Sequence, residues 1–281
     1  MGTTEAAPSH EPDVHYDRVH EAWRLILGSE FHYGYFVPSG IPLVDATAAL
    51  TEQMLQRAGI TPGARVLDVG CGTGHQSCQL ASEHGAEVLG ITTSGTGVAA
   101  ATELAASRGL ATARFEQRDG TANGLPDASF DVVWALESSH LMRDRKGLLS
   151  ESARVLVPGG RFVLCDIIRR REIPFLEVRE RRDEFALLRS VYGDAHMLPL
   201  DDYAAMLTEV GMEVDDLTDI SDETLPTFAA WRANCEEHAD EITRLIGADG
   251  LDEYVRSTHV LEAFWNDRTL GYGILRATKP A

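Results

Sequence analysis

Hydrophobic and polar positions recur along the chain in two alternating patterns. Short apolar runs at 65–69 (RVLDV) and 87–91 (EVLGI) predict buried strands. Apolar residues at helical spacing predict helices at 43–59, 74–84 and 95–108. Because strands and helices alternate, the pattern favours βαβ units, in which a parallel sheet carries helices on its faces.

The same patterns continue through the rest of the chain. Residues 130–136 and 161–168 are continuous apolar runs, which are typical of strands covered on both faces. Between them, 153–160 (ARVLVPGG) predicts a helix end followed by a turn, because a proline and two glycines close the segment. The later stretches predict a charged irregular segment (169–200), a helix (201–210), a strand (212–219), two helices (225–265) and a final strand-like stretch (270–280).

The N-terminal region follows neither pattern throughout. Residues 1–13 combine Pro, Glu and Ala without periodicity, which predicts a disordered leader. Residues 16–27 carry apolar side chains at helical spacing and predict an amphipathic helix. Residues 31–42 are aromatic and are interrupted by Gly34 and Pro38, which indicates a loop.

Composition narrows the possible partners. A length of 281 residues suits one α/β domain with appendages, and a net charge of -19 argues against nucleic acid, whose phosphates attract basic proteins. The start of the chain lacks a basic and apolar leader, and no long uncharged apolar run follows. We therefore expect a cytoplasmic protein with no membrane partner. The cysteines show no zinc-ligand spacing, so we expect reduced thiols and no metal.

A glycine-rich turn follows the first predicted strand. In VLDVGCGTGHQS (66–77), Gly70, Gly72 and Gly74 allow the backbone to turn sharply and to approach a ligand closely. A dinucleotide fingerprint would have a third glycine where His75 stands, and the Gly-Lys-Ser/Thr of a phosphate loop is missing. The turn therefore indicates a ligand that is not held by its phosphates.

VLDVGCGTG resembles the first motif of class I S-adenosylmethionine-dependent methyltransferases. HYGYF, DASFDVVWALES, ARVLVPGG and GYGILRATKP resemble further segments of the actinomycete natural-product type, the group that includes the rebeccamycin sugar O-methyltransferases. The resemblance implies a Rossmann-like α/β fold. In that fold a seven-stranded, mostly parallel sheet is flanked by helices, with a helical lid from the N-terminus and from C-terminal insertions.

The resemblance also implies how the chain is divided. Residues 14–281 would form a single methyltransferase domain. Within it, 14–45 would be a lid segment, 46–168 the cofactor-binding core, and 169–200 and 222–268 lid insertions around the acceptor.

The implied cofactor is S-adenosylmethionine, with S-adenosylhomocysteine as product. Asp68 would orient the ammonium group beside the glycine turn, and Asp119 would read the adenine amino group. At the end of the second strand many relatives place an acidic residue on the ribose, whereas this chain has threonines. The positions implied to bind the cofactor are Tyr33, Asp68, Gly70, Gly72, Gly74, Thr92, Thr93, Asp119, Gly120, Leu136 and Glu137.

A histidine beyond the fourth predicted strand is the candidate base. His140 follows the strand end where open α/β sheets bind ligands, and imidazole titrates near neutrality. The resemblance implies that Asp166 orients His140, and it places Leu141 where the sugar methyltransferases have a second histidine. Alternatively, His140 is a core histidine and Asp166 a turn cap. His196 and Trp23 are candidates for acceptor contacts.

These observations predict methyl transfer to a small-molecule natural product. O-methylation of a glycosylated or polyketide-type metabolite with a histidine base is the primary hypothesis. C- or N-methylation stays open, as does a cyclisation in which the cofactor is only structural. A non-catalytic binding protein is a further alternative, and we expect a monomer or homodimer.

Overall fold

The computed structural model describes residues 21–28 and 30–281. Its centre is a seven-stranded sheet of order β3-β2-β1-β4-β5-β7-β6, in which β1 to β5 run parallel and β7 is antiparallel to both of its neighbours. This sheet confirms the predicted fold class. The strands are β1 (Arg65–Val69), β2 (Glu87–Thr92), β3 (Ala113–Gln117), β4 (Phe130–Leu136), β5 (Leu156–Arg169), β6 (Glu213–Asp219) and β7 (Leu270–Thr278).

Helices cover both faces of the sheet and the carboxyl ends of its parallel strands. The first, α1, is described over 21–27, and a short 3₁₀ turn spans Ser139–Leu141. The other helices are α2 (Leu43–Ala58), α3 (His75–His84), α4 (Gly95–Ser107), α5 (Arg145–Val155), α6 (Phe175–Glu180), α7 (Arg182–Tyr192), α8 (Leu200–Glu209), α9 (Ser221–Thr224), α10 (Thr227–Glu237) and α11 (Ala239–Asn266).

The central strands are buried on both faces, which explains their unbroken apolar sequences. β4 pairs with β1 through Val66 and Val132, and with β5 through Trp134 and Val163. Trp134 and Val163 are completely buried. Burying large apolar side chains on both sides of one sheet is the main favourable contribution to folding here.

The turn predicted at 153–160 is wrong. Helix α5 ends at Val155 and β5 begins at once with Leu156, so the proline and glycines lie within the strand. Phe130 pairs with Leu156 but Val132 pairs with Arg161, so the extra residues form a bulge. A bulge accommodates Pro and Gly inside a sheet because the ladder is interrupted there.

The irregular segment predicted at 169–200 is also wrong in part, because it contains α6 and α7. Its arginines and glutamates pair on the surface, as between Arg171 and Glu177 at 2.5 Å. In α7, charged side chains on the outer face obscure the helical spacing of the apolar side chains on the inner face. β3 was not singled out from the sequence, because its ARFEQ strand lies at the sheet edge and is largely exposed.

Two expectations for the N-terminal region lie partly or wholly outside the described residues. The leader predicted at 1–13 is outside them, and the helix predicted at 16–27 is confirmed for 21–27. The loop predicted at 31–42 is confirmed, since no helix or strand crosses it. Among the helices of 21–28 and 30–281, none is both long and apolar enough to span a bilayer.

An aromatic cluster joins the N-terminal loop to the last helices and to β7. The Tyr33 ring stacks on Trp265 at 5.4 Å between centroids and meets Trp231 edge-on at 4.8 Å. Phe228 and Tyr272 complete the cluster. Edge-to-face and stacked rings add to the free energy of burial, so this cluster holds the N-terminal loop against α10 and α11. We refer to this loop together with α1, α6, α7, α10 and α11 as the lid.

We predict that Trp134→Ala lowers the free energy of unfolding by about 3–5 kcal/mol, because it opens a cavity in the middle of the sheet. Chemical denaturation followed by circular dichroism measures the change. Leu176→Ala is the matched control, since Leu176 is 61% exposed and its truncation should change stability by no more than about 0.5 kcal/mol. Equal effects of the two substitutions would contradict the assignment of the core.

Candidate active site

The site lies at the carboxyl ends of β1, β4 and β5, which are neighbours in the sheet. A cavity of about 1150 Å³ opens there between the strand ends and the lid helices. Pockets for a single small ligand usually measure about 300–1,000 Å³. This cavity therefore has room for two ligands side by side.

The glycine turn forms one wall of the cavity. The amides of Gly70 and Cys71 both donate to the Ile91 carbonyl, which anchors the turn to β2. A Cβ at Gly70 would lie 2.2 Å from the Cβ of Ser138, whereas a Cβ at Gly72 would meet nothing within 4 Å. Gly72 also has a φ of +53°, a conformation that favours glycine. The open space at Gly72 belongs to the cavity and can admit a ligand.

Asp68 lies at the base of this wall. Its side chain is buried, lines the cavity and accepts a 2.5 Å hydrogen bond from the Ser77 hydroxyl. Burial raises the pKa of the Asp68 carboxyl to about 6, although the Ser77 hydrogen bond lowers it. Asp68 forms no ion pair with a basic side chain of the described residues. A ligand ammonium would supply the missing counter-charge, so the site fits the amino acid part of S-adenosylmethionine.

The other predicted cofactor residues lie along the same cavity. Asp119 is exposed, and its Oδ1 accepts from the amide and the hydroxyl of Thr121, both at 2.8 Å. Gly120 is buried, and a Cβ there would lie 2.5 Å from Val69. The predicted positions that line the cavity are Tyr33, Asp68, Gly70, Gly72, Thr92, Thr93, Asp119, Gly120, Leu136 and Glu137, whereas Gly74 does not line it and packs instead on Ala101 and Phe115.

Glu137 connects the strand ends to the lid. Its Oε1 accepts from the Tyr33 amide at 2.8 Å and from the Tyr272 hydroxyl at 2.5 Å. Burial raises the pKa of Glu137, and the charge of Asp166 acts in the same direction. Tyr33 thus lines the cavity and binds Glu137 through its backbone amide, while its ring belongs to the aromatic cluster.

A group of polar residues beside the glycine turn was missed by the sequence analysis. Glu30 accepts from the His32 ring at 2.9 Å, and Gln76 donates to Glu30. Burial by itself would raise the pKa of Glu30, but its hydrogen bonds with His32 and His75 hold it well below the usual value. All four residues line the cavity. Polar residues alternate with aromatic ones at 30–33, which is a local signal of this group, but no local pattern indicates that they converge with α3.

His140 lines the cavity and contacts Asp166, which is buried beside it. The Nδ1 of His140 lies 2.5 Å from Oδ1 of Asp166, and both side chains are buried. Asp166 also accepts from the Ser139 hydroxyl at 2.5 Å and from the backbone amides of His140 and Ile167. Burial would raise the pKa of Asp166, but the charge and hydrogen bonds of its partners hold it below its usual value.

Apolar side chains from the lid line the rest of the cavity. They come from α1, α7 and α11 and include Trp23, Leu27, Phe185, Leu188, Tyr192 and Leu261. Trp23 thus lies where an acceptor contact was predicted. His196 does not line the cavity: its ring is 3.5 Å from Asp194, and its backbone amide donates to the His140 carbonyl at 2.7 Å. The structure therefore gives His196 a backbone contact with the loop of His140.

Comparisons with known proteins agree with this geometry. A family model described as a methyltransferase domain matches residues 67–164. The methyltransferase GfsG of Streptomyces halstedii is 33% identical over 286 residues, covering 99% of this chain and 98% of that protein. The 27-O-demethylrifamycin SV methyltransferase of Amycolatopsis mediterranei (strain S699) is 33% identical over 267 residues, covering 94% of this chain and 95% of that protein.

Solved structures share the architecture over nearly the whole chain. The [4+2]-cyclase SpnF superposes with a TM-score of 0.81 and 26% identity, and each chain is covered completely. The mycolic acid cyclopropane synthase CmaA1, solved with S-adenosylhomocysteine, has a TM-score of 0.85 over 98% of this chain and all of that one. At 18% identity, this second likeness concerns the fold alone.

The matched residues 67–164 include Asp68 and the glycine turn, and the cavity that they line fits S-adenosylmethionine, the cofactor of this family. The chain belongs to the class I S-adenosylmethionine-dependent methyltransferases.

Proposed function

We infer that the protein methylates a hydroxyl group on a bulky, partly apolar natural product, with His140 as the general base. The observation that carries this proposal is the buried His140, which lines a cavity large enough for two ligands and contacts the buried carboxylate of Asp166. A positioned base is needed when the acceptor must lose a proton, as a hydroxyl does.

Bound S-adenosylmethionine supplies an electrophilic methyl group on a sulfonium. The chain's own contribution is to hold the two reactants together, which can be worth about 7–11 kcal/mol. We assign the ammonium to Asp68, the adenine to Asp119 and Gly120, and the ribose to Thr92 and Thr93. The open space beside Gly72 accommodates the amino acid part of the cofactor.

His140 would take the proton that the acceptor hydroxyl loses. The carboxylate of Asp166 accepts from Nδ1, which leaves Nε2 with its lone pair as the nitrogen that can take the acceptor's proton. Asp166 then stabilises the imidazolium that forms. With the cofactor bound, Nε2 would take the proton of the acceptor hydroxyl as the methyl group passes from the sulfonium sulfur to that oxygen. S-adenosylhomocysteine would leave, and the proton would then pass to solvent.

The acceptor class follows from the walls of the cavity. The lid presents aromatic and branched apolar side chains, which suit a polyketide-type or glycosylated compound better than a small polar one. The relative acting on 27-O-demethylrifamycin SV supports a hydroxylated acceptor of this size.

A second candidate is a cyclisation in which the cofactor only completes the fold. The full-length similarity to the [4+2]-cyclase SpnF favours it, as does Leu141, an apolar neighbour of His140 in the cavity wall. Methyl transfer releases S-adenosylhomocysteine, whereas such a cyclisation does not.

The test uses purified protein with deuteromethyl S-adenosylmethionine and 27-O-demethylrifamycin SV, alongside other hydroxylated macrocycles. Mass spectrometry should find one labelled methyl group on an acceptor oxygen and an equal amount of S-adenosylhomocysteine. Conversion of a macrocycle without S-adenosylhomocysteine would replace the proposal with the cyclisation, and a label on carbon or nitrogen would refute O-methylation.

Gly72→Val should reduce affinity for S-adenosylhomocysteine at least about a hundredfold, because the side chain fills the space that the ligand needs. Isothermal titration calorimetry measures the dissociation constant. Gly109→Val is the matched control, since Gly109 also has a positive φ and open space before it but lies outside the cavity lining. Equal affinities of the two variants would refute the assignment of the turn.

Binding of S-adenosylhomocysteine should weaken as the pH falls below about 6. Because the raised pKa of Asp68 is about 6, its carboxylate is almost fully ionised at pH 8, half protonated near pH 6 and mostly protonated at pH 5, where the ammonium loses its partner. At pH 5 the dissociation constant should be about tenfold higher than at pH 8. Asp68→Asn should bind weakly at both pH values, and an unchanged pH dependence in this variant would exclude Asp68 as the cause.

His140→Gln should lower kcat at least about a hundredfold with a hydroxyl acceptor, because the substituted amide cannot take a proton. His259→Gln, at a position 60% exposed on α11, is the control and should keep the activity of the unaltered protein. A loss below about fivefold in His140→Gln would remove His140 as the base.

A further inference from the structure

A buried arginine lies behind the His140–Asp166 pair. Arg145 begins α5 and is only 4% exposed. Its Nε donates to the Tyr203 hydroxyl at 3.0 Å and its Nη2 to the His196 carbonyl, while its Nη1 has no acceptor among the described residues. None of these contacts is a carboxylate. A buried cation without a direct counter-ion is costly, so its charge must be compensated nearby.

Two hydroxyls connect Arg145 to Asp166. The Tyr203 hydroxyl lies 2.7 Å from the Ser139 hydroxyl, which lies 2.5 Å from Oδ2 of Asp166. A guanidinium can only donate and a carboxylate can only accept. The hydrogen bonds therefore run in one direction, from Arg145 through Tyr203 and Ser139 to Asp166.

We propose that Arg145 is a positioning residue that balances the charge of Asp166 through Tyr203 and Ser139, and thereby keeps His140 available as a free base. The proposal rests on the function assigned to His140 above. Arg145 touches neither ligand and acts on His140 through the Asp166 carboxylate.

The direction of the effect follows from the charges. With Arg145 present, Asp166 is already compensated, and protonating His140 would give the buried group a net positive charge. Without Arg145, the imidazolium would be the one remaining positive charge close to Asp166 among the described residues, so His140 would hold its proton to higher pH. The positive charge of Arg145 also contributes to the lowered pKa of Asp166, in agreement with this pairing.

Other titratable groups face the pair from every neighbouring element. Burial raises the pKa of Tyr33, Tyr203, Tyr272 and the Cys165 thiol, so these four groups are uncharged near neutrality. Glu137 is common to the protein and its variants and cannot produce a difference between them. The groups are Tyr33 before α2, Glu137 after β4, Cys165 on β5, Tyr203 on α8 and Tyr272 on β7.

The test is an NMR titration of the His140 imidazole in the complex with S-adenosylhomocysteine. In Arg145→Met the pH midpoint of protonation should rise by about one unit relative to the unaltered protein. Arg145→Lys keeps the charge, so its midpoint should lie close to that of the unaltered protein. Lys146→Met is the matched control, because it removes the same charge from the next, exposed position of α5 and should leave the midpoint unchanged.

An unchanged or lower midpoint in Arg145→Met overturns the proposal, and so does an equal rise in Lys146→Met. If Arg145→Met does not fold, Tyr203→Phe carries the test: it breaks the connection between the charges, so the midpoint should rise, and an unchanged midpoint overturns the proposal. No acceptor is present in this titration. Its result is therefore independent of whether methyl transfer goes to oxygen, which the His140→Gln kinetics decide.

Discussion

The site depends on one buried carboxylate that must stay ionised. Asp166 is completely buried in β5, yet its two oxygens accept hydrogen bonds from a ring nitrogen, a hydroxyl and two backbone amides. Such a group is stable in a protein interior only when every lone pair is occupied and a positive charge lies close by. These requirements fix the 3₁₀ turn of His140, the rotamer of Ser139 and, through Tyr203, the start of α5.

The parallel sheet makes this arrangement possible. Leu136 pairs with Cys165, so the residues that follow, Glu137 and Asp166, lie at the same level on neighbouring strands. β1 lies on the other side of β4 and brings Asp68 to the same edge. Three acidic side chains thus lie near the carboxyl ends of three neighbouring strands, with Asp68 deeper because it pairs with Trp134. Asp68 accepts from a hydroxyl, Glu137 accepts from the lid, and Asp166 contacts a histidine and the Ser139–Tyr203 relay. Different partners give one edge distinct sites for cofactor and acceptor.

Local sequence patterns were enough to predict six of the seven strands and the glycine turn, because strand burial and backbone turns depend on adjacent residues; the edge strand β3 was not predicted. The lid was harder: α7 places charged residues outward, and its helical spacing is visible only once its inner face is known. The bulge in β5 looked like a turn because Pro158 and Gly159 have the same local preferences in both settings.

The relay could not be predicted, because its partners are far apart in sequence. Ser139 and Tyr203 are separated by 64 positions, and Arg145 and Tyr203 by 58. Nothing in the local sequence of α8 marks Tyr203 as a link between two charges. Glu30 and His32 were missed for the same reason, since only the fold brings them to Gln76. His140 was predicted from its place beyond the fourth strand and Asp166 from resemblance to a family, whereas their contact rests on the geometry of β5.

The most direct test of this account is the tautomer of His140, read from its ring ¹⁵N chemical shifts in the complex with S-adenosylhomocysteine at mildly alkaline pH. The account predicts a proton on Nδ1, held by Asp166, and an unprotonated Nε2. A neutral ring that carries its proton on Nε2 would mean that Asp166 does not orient His140, and the assignment of His140 as the base would be wrong.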